Sequence, residues 1–157
     1  MEHYTDLKRI GRGNYGTVYK GKDQRNGRVY CLKQIIMESH SDNERKEAEQ
    51  ECDLLKTLDH PGIVRYHEHF MHEDSLWVVM AYCEQGDLGQ HIKKRAKAEQ
   101  YFTEDQVVDW FVQIAMALHY VHSRKILHRD VSCACTVCRP RSQEPQPRAP
   151  AWNPSCL

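Results

Sequence analysis

The sequence predicts an α+β fold: a five-stranded antiparallel sheet carrying one helix, then two further helices, then a tail without pattern. Three observations carry this reading. Short alternating apolar runs separated by turn residues fill positions 4–81, the period of half-buried strands. One capped segment with helical spacing interrupts them between the third and fourth runs. After Gly86 the apolar spacing lengthens to that of helices, and after Val131 it disappears.

The first run, 4–10, ends in Gly11-Arg12-Gly13-Asn14-Tyr15-Gly16, and a second follows from Thr17 to Lys22. Asn26-Gly27 is a two-residue hairpin signal leading into the third run, Arg28 to Ile35, around Val29, Cys31 and Lys33. Ser41 and Glu44 fit a capping box. Ala48, Cys52 and Leu55 then follow at helical spacing, with Leu54 and Leu58 widening the stripe. Pro61 ends that helix, because the residue before a proline avoids the helical region. The fourth and fifth strands are expected over Ile63–Phe70 and Leu76–Ala81, turning through His72-Glu73-Asp74. Leu88–Ala98 reads as a helix. Thr103 and Gln106 cap a longer one reaching about Ser123, with Val107, Phe111, Ile114, Leu118 and Val121 on one face.

Composition narrows the class. Of 157 residues, 40% are hydrophobic and 28% charged, ordinary for a globular chain, and the formal net charge is +0. That balance gives no general attraction to nucleic acid or to an acidic membrane surface. No apolar run approaches the ~20 residues a membrane span needs. Seven cysteines without a secretory signal point to a reducing compartment, cytosol or nucleus. Five of the six prolines and four of the seven cysteines lie after Val131, so the tail 132–157 is expected to be disordered. Cys133-x-Cys135-x-x-Cys138 beside His128 is a poor zinc pattern, and no metal site is assigned.

Four constellations carry chemistry. Gly11-x-Gly13-x-x-Gly16 lies between two strands, so it fits a flap over phosphates better than a dinucleotide turn, which a helix would follow. Lys33 follows a run of buried type, where an ammonium needs a partner. Glu51 on the next helix is the first choice, with Glu44 and Glu47 competing. Val78-Val79-Met80-Ala81-Tyr82-Cys83 ends a buried strand whose backbone could read an adenine edge, and Asp87 could accept from a ribose hydroxyl. Taken singly, each has a plain reading: a glycine hairpin, a solvated lysine, a core strand and its turn. His128-Arg129-Asp130 after the long helix supplies an aspartate able to accept a proton from a hydroxyl nucleophile.

In this fixed order, residues 4–131 resemble the first half of a eukaryotic protein kinase domain, most closely the NIMA-related serine/threonine kinases. The distinctive stretches are Val79–Leu88, Asp109-Trp110-Phe111-Val112-Gln113-Ile114 and Ile126–Asp130. The resemblance implies that Gly11, Arg12, Gly13, Asn14 and Gly16 cover the ATP phosphates and that Val18 and Cys31 roof the adenine. It also implies that Lys33 touches the α/β-phosphates and pairs with Glu51. Met80 would be the gatekeeper, with Ala81 and Cys83 on adenine, Asp87 near the ribose, and Asp130 as proton acceptor. The implied layout is an N-lobe over about 4–81, a hinge at 81–87 and a partial C-lobe over 88–131. The implied partners are ATP and, for a full-length form, a protein substrate. The family adds centrosome and cilium to the cytoplasm and nucleus as locations.

The sequence then departs from the family pattern. After Val131 the lysine position holds Ser132, the magnesium-ligating asparagine position holds Cys135, and no Asp-Phe-Gly occurs in 132–157. The expectation is a truncated, inactive product, expected to lack the Mg²⁺ of the family. The alternative is a non-catalytic fragment that binds nucleotide, chaperones or the partners of the full kinase.

Overall fold

The structure, a computed structural model, describes residues 1–13, 16–128, 131, 136–137 and 151–152. The chain divides into two compact units. The first is Met1–Leu58 with Arg65–Tyr82, and the second is Asp59–Val64 with Cys83–Leu157.

In the first unit, strands β1 (Tyr4–Gly13), β2 (Gly16–Asp23), β3 (Val29–Ile36), β4 (Tyr66–His72) and β5 (Ser75–Ala81) form one antiparallel sheet in the order β1-β2-β3-β5-β4. The expected five-stranded sheet is present. One face holds an aromatic core of Tyr4, Tyr30, Leu32, Trp77 and Val79. Burying each such side chain contributes on the order of 1.5–3 kcal/mol. β5 is buried along nearly its whole length, as expected of a strand flanked by β3 and β4. The β4–β5 turn is Glu73-Asp74, both at positive φ (47° and 51°), the geometry of a type I′ hairpin made here without glycine.

Helix α1 (Asp42–Lys56) starts at the expected capping box: Ser41 N–H donates to the Glu44 carboxylate at 2.7 Å, and Glu44 N–H donates to Ser41 Oγ at 3.4 Å. Its buried residues are Cys52 and Leu55, and it lies against β4.

Two expectations shift. β4 starts at Tyr66 rather than Ile63. Asn26-Gly27 is not a two-residue hairpin turn but the end of a wider loop, closed by Gly27 N–H to Asp23 C=O (2.8 Å) and Asp23 N–H to Arg28 C=O (2.9 Å). The Asp23 carboxylate accepts from Arg25 N–H at 2.9 Å, an Asx turn that begins the reversal two residues early.

The second unit contains α2 (Leu88–Lys97) and α3 (Glu104–Ser123). Thr103 and Gln106 form the expected capping box on α3. Residues 59–64 lie along α3. Tyr120 Oη accepts from Asp59 N–H at 2.9 Å, the His60 and Tyr120 rings sit 4.9 Å apart, and the Arg124 guanidinium lies 3.7 Å from the Tyr120 centroid. The buried line of α3 is Ala117 and Val121, whereas Phe111 is 70% exposed. Two short strands, β6 (Thr136–Val137) and β7 (Ala151–Trp152), pair antiparallel, β7 lying against α3. The rest of the expected disordered tail lies outside the described residues. Among the described residues no helix is long and apolar enough to cross a membrane.

Candidate functional site

Strand register places the sequence-predicted residues of the first unit. Val18 pairs with Lys33, and Lys33 with Val78. In the next row Lys20 pairs with Cys31, and Cys31 with Met80. Paired residues share a face, and so do residues two apart along a strand. Val18, Cys31, Lys33 and Met80 therefore stand on one face, opposite the aromatic core. Gly11 pairs with Val18 and joins the same row.

The pairing of Gly13 with Gly16 closes the β1–β2 hairpin. Gly16 has φ +147°, and a Cβ there would stand 1.9 Å from the Gln34 carbonyl oxygen. This is a close approach of β2 to β3 that only glycine permits. Arg12 is exposed. Asn14 lies outside the described residues.

Lys33 is 6% exposed. An ammonium that deep is unfavourable unless compensated. Glu51 on α1 is the partner expected for it. Glu51 is exposed, as are Glu44 and Glu47, and Glu44 is committed to Ser41. The physical reason is helical phase: one residue is a rotation of about 100°, and the buried positions of α1 are Cys52 and Leu55. Burial pushes the Cys52 thiol up to about 11. The flanking Glu51 and Asp53 add to that, and the nearby Lys33 charge opposes it. Met80 is fully buried, while Ala81 is half-buried with its N–H bonded to Arg65 C=O at 2.9 Å. The Lys20 ammonium lies 4.5 Å from the centroid of the Tyr82 ring.

In the second unit, Cys83 is half-buried, and Asp87 is the N-cap of α2. The Asp87 carboxylate accepts from Gln90 N–H at 2.7 Å and from Gln90 Nε2 at 2.6 Å, which fixes its orientation. His128 is buried. Asp130, the expected proton acceptor, lies outside the described residues.

Residues 4–137 match the protein kinase domain family. The chain belongs to the protein kinase family. Serine/threonine-protein kinase Nek1 of Mus musculus is 47% identical to it over 131 residues, 83% of this chain and 11% of that protein. Nek4 of Mus musculus is 46% identical over 129 residues, 82% of this chain and 16% of that protein. Nek11 of Homo sapiens is 37% identical over 131 residues, 82% of this chain and 20% of that protein. These relatives place the kinase chain on the NIMA-related branch, and it spans between about a tenth and a fifth of their lengths.

Sequence reasoning passed over a second polar cluster, on the core side of the kinase sheet. The Asp23 carboxylate is fully buried and accepts from Arg25 Nε (3.0 Å), Arg25 Nη2 (2.9 Å) and Asn26 Nδ2 (3.2 Å). Arg25 also pairs with Glu68 and donates to Tyr4 Oη at 3.1 Å, while Tyr4 donates to Glu68. The His67 ring stacks on Tyr30 at 4.5 Å and places Nε2 3.8 Å from Asp23 Oδ2. Hydrogen bonds from Arg25 hold Asp23 below the usual carboxylate range against the effect of burial. Burial pushes Glu68 up, but bonds from Arg25 and Tyr4 outweigh it, and its pKa is also lowered. Asp23, His67 and Glu68 bring ligand atoms within 4.8 Å of one another, yet the cation between the two carboxylates is Arg25 itself. The local signal was the Asp23-x-Arg25-Asn26-Gly27 turn composition. Glu68 had none.

Proposed function

We propose that this chain binds ATP on the sheet face that carries Val18, Cys31, Lys33 and Met80, and that it does not transfer the γ-phosphate. The observation that carries the first half is the register: a buried ammonium stands beside apolar side chains on one face of a sheet whose first hairpin pairs Gly13 with Gly16. That arrangement suits a ligand with an apolar flat base and an anionic chain. Gly11, Gly13 and Gly16 let the backbone come close to phosphate oxygens, and Lys33 meets them with charge.

The second half rests on residues 131–135, Val-Ser-Cys-Ala-Cys. Mg²⁺ is a hard cation that takes oxygen ligands, whereas Cys135 offers sulfur where the family uses asparagine, and 132–157 contains no Asp-Phe-Gly. These residues do not fit the metal. Loss of a single charge-stabilising group from such a site already costs on the order of 10²–10³ in rate.

Titration with a fluorescent N-methylanthraniloyl ATP in EDTA tests binding. Saturable binding that Lys33→Met removes is expected. No binding by the wild-type chain sinks the nucleotide reading. Phosphate transfer from radiolabelled ATP with Mg²⁺ to casein should stay at background, and transfer abolished by Asp130→Asn would overturn the inactivity.

A second reading, a fragment that engages partner proteins, is favoured by one observation. An apolar groove of about 500 Å³ runs along α3, lined by Phe111, Val112, Met116 and Tyr120 together with His60. Co-purified chaperone lost on Phe111→Ser with nucleotide binding intact would favour it.

A further inference from the structure

We infer that Arg25 is a positioning residue for the glycine hairpin, fixing its root so that the flap end stands over the ligand face; the inference rests on the nucleotide reading above. The hairpin has two ends. At one, Gly13 pairs with Gly16. At the other, Tyr4 pairs with Asp23.

Among the described residues β1 is an edge strand, paired with β2 alone. Its pairing slips between Thr5 and Lys8 and again between Arg9 and Gly11, with Asp6 at φ +54°. Such irregularities twist and loosen a ladder. The position of the flap therefore depends on what holds the root.

Arg25 holds it from both strands at once. Its guanidinium grips buried Asp23 at the end of β2 and donates to Tyr4 at the start of β1. The same group pairs with Glu68 on β4, at the far edge of the sheet. Tyr4 adds a stacked contact with Phe70 of β4, 5.9 Å between centroids. The root of the hairpin is thus tied to the strand farthest from it in sheet order. A lysine cannot replace the fork, because one ammonium lacks the planar set of donors that reaches three partners.

The test compares hydrogen–deuterium exchange of residues 8–18 and of 76–81 in the full chain for wild type, Arg25→Ala and Arg25→Lys, with affinity for the same fluorescent ATP. The expected result is exchange faster by about tenfold in 8–18 alone, with 76–81 unchanged, affinity weaker by about tenfold, and less than half of the loss restored by lysine. Unchanged exchange in 8–18, or acceleration spread evenly over both segments, overturns the inference, since a purely structural role would loosen the whole sheet. Should wild type fail to bind the nucleotide, the earlier reading falls while the exchange comparison still decides this one. Should Arg25→Ala not fold, Tyr4→Phe and Arg25→Lys carry the same comparison.

Discussion

Tyr4 and Phe70 belong to the two outermost strands of the five-stranded sheet, yet their rings stack 5.9 Å apart at 13°. Two edges can meet only if the sheet curls strongly, the direction in which strand twist already carries it. The stack sits over Leu32 and Val79, both fully buried, and beside Tyr30, which meets Tyr4 edge-on at 6.4 Å and 90°. Curling thus gives the aromatic core a closed side.

If the stack couples the edges, a double-mutant cycle on Tyr4→Leu and Phe70→Leu should return an interaction of about 1 kcal/mol. Urea midpoints of the four proteins measure it. A coupling indistinguishable from zero would mean that the rings are neighbours without holding the edges together.

Acid should attack the same corner. Asp23 and Glu68 are both held below the ordinary carboxylate range by Arg25, and Glu44 is lowered by the Ser41 cap. For a group whose folded pKa is depressed, the stabilisation is complete above the unfolded value and is lost as pH falls through the folded one. Stability should therefore fall steeply below about pH 4 as these carboxylates protonate, after a smaller loss that begins below about 6.5 because burial lowers the His60 pKa in the folded state. Asp23→Asn removes one of the titrating groups, and its curve should be lower at neutral pH and flatter in acid. Urea midpoints at half-unit pH steps test both features.

Much of this was legible because it is local. Both capping boxes and the alternating strands involve residues within a turn or a pleat of one another. The exposure of Glu51 was less legible for a related reason. Sequence gives helical period well but phase poorly, and Glu51 and Cys52 differ by one residue. Val107, Phe111 and Val121 share one apolar face in the sequence pattern, yet Val107 and Phe111 are exposed whereas Val121 is buried. Glu68 was beyond reach altogether: it meets Arg25 across 43 residues and Tyr4 across 64, and no short pattern marks it.

The exposed apolar residues of α3 give a prediction of opposite sign to core substitutions. Phe111 and Met116 are 70% and 56% exposed and line the groove. Replacing both with serine should change stability by no more than about 0.5 kcal/mol per site and lower the fluorescence of bound anilinonaphthalene sulfonate. A large loss of stability would show that the groove is covered in solution.

Gly16 and Gly27 separate two uses of glycine. Both have positive φ, but a Cβ at Gly27 meets nothing within 4 Å, whereas one at Gly16 stands 1.9 Å from the Gln34 carbonyl oxygen. At Gly27 alanine adds only the left-handed backbone penalty, about 1 kcal/mol. At Gly16 strain is joined by a collision with backbone that cannot swing aside, so β2 must draw away from β3 where Thr17 pairs with Gln34 and Val18 with Lys33. The expected cost of Gly16→Ala is about 3 kcal/mol or more. Urea midpoints of the two variants should differ accordingly, and Gly16→Ala should also weaken ATP binding because Lys33 shares that ladder. Equal costs at the two positions would show that β2 reaches β3 less closely than this register requires.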